Sequence, residues 1–188
     1  ANLLNKVCKS IASIIEIVFL NNYIDERLTF DQVTGTLKNE YFLQKITAEL
    51  DRQRDFSGSG IFILTSIDKY DELSYKYGVS GYNTIINSLV EIISSVIPAY
   101  DMIGRIDENI LGIFRYGLNL DDGKVFAEKI RKMAAGNIIS IDSKSFSVTI
   151  SVGLVDTKKY TTSLEVFENC KKALSISAEE GGNRVKIN

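Results

Sequence analysis

The chemistry this chain could perform gathers in two short stretches. One is Asp107-Glu108-Asn109, an acidic and amide run between aliphatic residues; the other is Ser66-Ile67-Asp68, which closes the apolar run Ile61 to Ile67. Among them Asp68 could hold a metal ion through its carboxylate. Plainer uses stand beside that one. Asp68 could cap the helix that follows it, and Asp107, Glu108 and Asn109 suit a solvated turn because their side chains bond the local backbone. Arg105 could reach a phosphate or pair with a nearby carboxylate. Histidine is absent, which removes the commonest general base and zinc ligand together. Cys8 and Cys170 lie far apart without metal or redox spacing, so both are expected to be free thiols of a reducing cytosol.

These residues need elements to hold them. Asp101 to Arg115 reads as two short strands joined at Asp107-Glu108-Asn109, with no helical period. Ile61 to Ile67 reads as a central strand covered on both faces. If the hairpin lies beside that strand, two loop edges meet where a ligand could sit. The spacing predicts a turn and helix over residues 31–54 and a short helix from Lys69 to Tyr77 that a left-handed Gly78 stops. A longer helix then ends at Pro98, and another runs from Asp121-Asp122 to about Ala135. Phe146 to Val155 alternates as one strand, Leu164 to Ala178 is the last helix, and Arg184 to Ile187 closes the chain as a strand. The order α, β, α, α, β, β, α, β, α, β implies an α/β fold, one mixed sheet with flanking helices.

Residues 1–28 form a separate unit, with residues 29–188 as the main domain. Leu4, Val7, Ile11, Ile14 and Val18 recur at spacings of three and four, the seam of a two-stranded coiled coil that Asn21 continues. An amphipathic helix folded back on its own domain is the alternative. A homodimer through this helix, an upstream sensor domain and a partner signalling protein are the partners expected. The run Ile11 to Leu20 is broken by Glu16 and is too short to span a bilayer; no signal peptide precedes it. The chain has 188 residues, 22 basic and 24 acidic, and a net charge of −2, so no electrostatic footprint for nucleic acid is visible.

The motifs in order resemble the GGDEF family, the diguanylate cyclases, from Asp31 to Val185. Asp31, Thr34, Gly35 and Phe42 fit its opening motif, and Ser66-Ile67-Asp68-Lys69-Tyr70 followed by Gly78 fits its Asp-x-Asp strand end. Asp101, Gly104 and Arg105 fit the lead-in to the signature hairpin. Ser151-Val152-Gly153 and Gly181 with Asn183-Arg184-Val185 fit the closing motifs. The resemblance implies a nucleotidyl-cyclase-like fold in which two GTP molecules on facing subunits react with the help of metal ions.

The letters that would carry that chemistry differ here. Ser66 stands at the first carboxylate of Asp-x-Asp, and the signature reads Asp107-Glu108-Asn109-Ile110-Leu111. Two glycines that would admit a triphosphate are Asp107 and Glu108, and each unit-charge pair with phosphate at ~4 Å is repelled by about 4 kcal/mol. Ser74 and Asn83 occupy the guanine-reading positions, where an Asn amide satisfies the base only halfway. Ala178 and Gly182 replace a Lys and an Arg, and Pro98-Ala99-Tyr100-Asp101 lacks the Arg of the feedback site. A slip that makes Arg105-Ile106-Asp107-Glu108-Asn109 the signature would turn every strand side chain over. Tyr70, Tyr75, Tyr77 and Tyr82 are expected to fill the guanine pocket, with an exposed partner patch as the alternative. The expected function is a catalytically inactive regulatory or dimerising domain without metal or cofactor. The alternatives are a diverged cyclase using magnesium and GTP, or a GTP or cyclic di-GMP receptor without turnover. Vestigial ligand positions would then be Ser66, Asp68, Ser74, Asn83, Asp107, Glu108 and Asn109.

Overall fold

The apolar run from Ile61 becomes the middle of the sheet because every residue in it but Ser66 is buried. In the computed structural model, residues 2–56 and 58–188 are described, except for the side chains of residues 2–4, 6, 8–10 and 22. Leu4 of the expected seam and Cys8 therefore lie outside the described residues. In chain order the elements are α1 (Asn2–Thr29), β1 (Leu37–Lys38), α2 (Asn39–Phe56), β2 (Gly60–Ile67) and α3 (Tyr70–Ser94). They continue with β3 (Met102–Arg105), β4 (Ile110–Tyr116), α4 (Leu120–Gly136), β5 (Ile139–Ile141) and β6 (Lys144–Phe146). β7 (Ile150–Asp156), a 3-10 turn at Thr157–Lys159, α5 (Ser163–Glu179) and β8 (Val185–Ile187) complete the chain.

The main sheet runs β1-β3-β4-β2-β7-β8. β1 lies parallel to β3 and β8 parallel to β7, while β4, β2 and their neighbours pair antiparallel. Alternation along β2 sends Ile61, Ile63 and Ile67 into a core with Ile85, Ile86 and Leu89 of α3 and Phe126 and Ile130 of α4. Phe62 and Leu64 face the other way, onto Phe42 and Ile46 of α2 and Val166, Cys170 and Leu174 of α5. The expected α/β fold, one mixed sheet with helices on its faces, is the fold observed. Burial pushes the Cys170 thiol well above its ordinary range, so it serves as a small apolar residue of this core.

Two expectations need correction. Gly78 has a positive φ of 64° but an extended ψ of −174°, so it kinks α3 instead of forming a left-handed cap. The left-handed residue of that region is Lys69, at φ 57° and ψ 38°. The single strand expected over Phe146 to Val155 is two strands, because β6 leaves the main sheet to pair with β5. Its turn, Asp142-Ser143, holds both residues at positive φ without a glycine. Two-residue β1 was also not anticipated; it is held by its pairing with β3.

Candidate functional site

Pairing of β2 with β4 sets Ser66 opposite Ile110, which carries Asn109 to the end of β2. There Asn109 Nδ2 donates to Ser66 Oγ at 3.0 Å, and the Ile67 amide donates to the Asn109 carbonyl at 3.3 Å. Leu111, next along β4, is fully buried. A one-residue slip of this strand would exchange those environments.

The hairpin tip is closed by its own residues. Asp107 is exposed and accepts the Glu108 amide at 2.8 Å. The Tyr70 hydroxyl donates to the Glu108 carboxylate. This bond, foremost, raises the Tyr70 phenol above its ordinary range. Tyr82 lies edge-on to Tyr70 with centroids 4.8 Å apart, is 4% exposed, and is pushed far up by burial. Tyr70 and Tyr82 lie on the same helix as Ser74 and Asn83. Tyr77 instead stacks on Phe146, and Tyr75 is 95% exposed, so neither expectation of four packed tyrosines nor of one patch holds whole. Ser74 and Asn83 are half-buried on α3, and among the described residues no hydrogen bond joins either to Ser66 or Asn109.

Asp68 does not cap α3. Its carboxylate accepts from Thr149 Oγ1 and Ser151 Oγ, both at 2.6 Å, and from the Asn183 amide at 2.9 Å. Pairing of β2 with β7 brings those hydroxyls alongside. Gly182 makes this possible, since a Cβ there would lie 2.8 Å from an Asp68 carboxylate oxygen. The sequence singles out Ser151 only as a motif letter and Thr149 not at all; their spacing of two at the start of β7 is the signal available.

Arg105 takes the carboxylate partner. Its Nη1 donates to Asp31 Oδ1 at 3.0 Å, and Nη2 donates to the Glu108 carbonyl at 3.2 Å. Asp31 also accepts from the Thr34 amide at 2.9 Å and hydroxyl at 2.7 Å, closing a turn in which Gly35 has φ 67°. Burial works to raise the Asp31 carboxyl, but the Thr34 bonds and Arg105 outweigh it and hold it below the ordinary carboxylate range. A depressed folded value means the stabilisation is present above the unfolded value near ~3.9 and is lost as pH falls through the folded one. Asp31→Asn is therefore expected to lower the urea midpoint at neutral pH and to flatten its decline below about pH 4. An acid limb as steep as the wild type's would show that other carboxylates carry it. Asp101 is likewise structural: it is paired with Arg115 and accepts the Tyr116 amide at 3.0 Å. Among the described residues no group of three or more His, Cys, Asp or Glu side chains is placed to hold a metal ion.

The family profile described as "Diguanylate cyclase, GGDEF domain" matches residues 28–184. The chain belongs to the GGDEF domain family. Diguanylate cyclase A of Treponema denticola is 25% identical over 192 residues, covering 96% of this chain and 50% of that protein. This GGDEF chain thus spans about half the length of that relative. Its fold is shared with the coiled coil and GGDEF domain of DgcB from Caulobacter crescentus, solved with c-di-GMP. That match has a TM-score of 0.93 at 16% identity and covers 100% of both chains. Diguanylate cyclase SiaD of Pseudomonas aeruginosa, solved with its activator SiaC, has a TM-score of 0.82 at 19% identity, over 98% of this chain and 72% of that one. No helix among the described residues is long and apolar enough to cross a membrane.

Proposed function

We propose that residues 29–188 are a non-catalytic GGDEF domain, a regulatory and dimerising module of bacterial cyclic di-GMP signalling, set behind a helical connector over residues 1–28. The hydrogen bond from Asn109 to Ser66 carries this reading. By resemblance, that is where two carboxylates would share a cation. Here a neutral amide and a hydroxyl satisfy each other, with the amide N–H atoms turned inward. A magnesium ion needs several negative oxygens at once, and the residues present do not fit it, nor the triphosphate that it would accompany. Glu108 is held on Tyr70 at the hairpin tip, and Asp68 is spent on two hydroxyls and an amide. The relationship to Diguanylate cyclase A supports the signalling context, and the module is assigned to the cytoplasm, with a sensor domain and a signalling protein as partners.

Calorimetry with GTP and magnesium tests this directly. The expected result is no binding heat with the 188-residue chain at protein concentrations that would reveal micromolar affinity. Saturable binding would refute it, and analysis of the incubated mixture would then show whether the domain is a receptor or a slow cyclase.

A further inference from the structure

α5 buries one face and leaves the opposite one uncovered. Val166, Cys170, Ala173, Leu174 and Ser177 are buried. On the far side Leu164 and Ile176 are 64% and 46% exposed, and Glu168 and Lys172 between them are exposed as well. Each of these four side chains follows the last by four residues, so they stand in one row about 18 Å long. With Phe167 and Lys171 they line an open groove of about 890 Å³.

The order of the row, apolar, acidic, basic, apolar, is its own complement when reversed. Laid antiparallel on a second copy, Leu164 meets Ile176 and Glu168 meets Lys172, and each contact occurs twice because both pairs are centred on position 170. That is the condition of a two-fold interface, in which the same patch serves on both partners. The commonest helix packing sets one row of four-residue spacing beside another, the geometry this contact needs. Both charges are available for it. Glu168 lies four residues before Lys172, the favourable order for a pair within one helix, yet among the described residues neither takes part in an ion pair. Lys171 flanks the row, and its long stem lets the ammonium stay in water. An anionic lipid surface or an acidic segment would set like charge against Glu168, whereas a row with both signs at mirrored places selects itself.

We infer that the outer face of α5 is a contact surface between two antiparallel copies of this chain, separate from α1 and independent of whether α1 pairs. Light scattering of the 188-residue chain over a concentration series is expected to show its mass rise at least twofold above the dilute value. Glu168→Lys and Lys172→Glu each bring like charges together at both crossings. Either change is expected to weaken the association about tenfold, with thermal unfolding unchanged. An equimolar mixture of the two single variants restores opposite charges at both crossings and is expected to associate as the wild type does. The double variant Glu168→Lys with Lys172→Glu is expected to do the same. A mass that stays constant with concentration overturns the inference, as does a rise that both single variants keep in full. A mixture no stronger than its components overturns it too, because only antiparallel copies exchange these two charges.

Discussion

Gly153→Ala is expected to cost about 3 kcal/mol of folding stability, at the upper end of what overpacking does in a core. A Cβ at this position would sit 2.5 Å from the Cys170 carbonyl oxygen and 2.9 Å from Leu174 Cα, and would also strike the Leu174 amide. All three are backbone atoms of α5, so no side-chain rotation can relieve the contact. α5 lies this close to β7 that the Cys170 thiol donates to the Gly153 carbonyl at 3.2 Å. Lifting the helix would open the contacts of Val166, Cys170 and Leu174 with the second core. The urea midpoint reads the effect, with Gly136→Ala as the control. A Cβ there meets nothing within 4 Å, and in a helix end the change should be neutral or slightly stabilising. A loss at Gly153 no larger than at Gly136 would mean that α5 is free to move off the sheet.

Introducing Ser66→Asp together with Asn109→Asp should make the stability of the domain depend on magnesium. The hydrogen bond at 3.0 Å is replaced by two carboxylates in the same place, which repel by about 4 kcal/mol at ~4 Å and an effective dielectric near 20. Protonation of one of them would relieve part of this at low pH. In metal-free buffer at neutral pH the melting temperature should fall, and millimolar magnesium should restore much of the loss by binding the folded state alone. The wild-type melting temperature should not respond to the ion, since a bonded amide and hydroxyl offer it no charge. A wild type that gains as much from magnesium as the double variant would remove the physical basis of the proposed loss of catalysis.

Much of the architecture was legible from residue order. β2 declared itself by an apolar run too short for a helix, and α4 and α5 by their periodicity and end signals. The structure adds their caps: Thr162 forms a reciprocal cap with Glu165 at the start of α5, and Asn119 caps α4 by accepting the Asp122 amide at 2.9 Å. The hairpin turn at Asp107-Glu108-Asn109 was legible too, because acidic and amide residues interrupt two β-branched segments. What escaped were elements without a local signature. β1 has two residues and exists by pairing with β3. The β5–β6 turn uses Asp142 and Ser143 at positive φ, where a glycine or asparagine would have announced it. Tyr75 and Tyr82 are seven residues apart in one kinked helix, yet one is 95% exposed and the other 4%.

By itself the sequence determined which atoms are available: no histidine, a serine at the end of one apolar run and an asparagine in the next hairpin's turn, and a strand pattern that must be buried on both faces. These are properties of composition and period, and folding does not alter them. Only the tertiary structure decided where those atoms are spent. Asp68 could have been a cap or a ligand on local grounds; the register of β2 against β7 gave it Thr149 and Ser151 instead. Arg105 could have met a phosphate, and the β1–β3 pairing gave it Asp31, 74 residues away. A buried polar group takes the nearest partner that satisfies it, and long-range strand pairing chooses who is nearest.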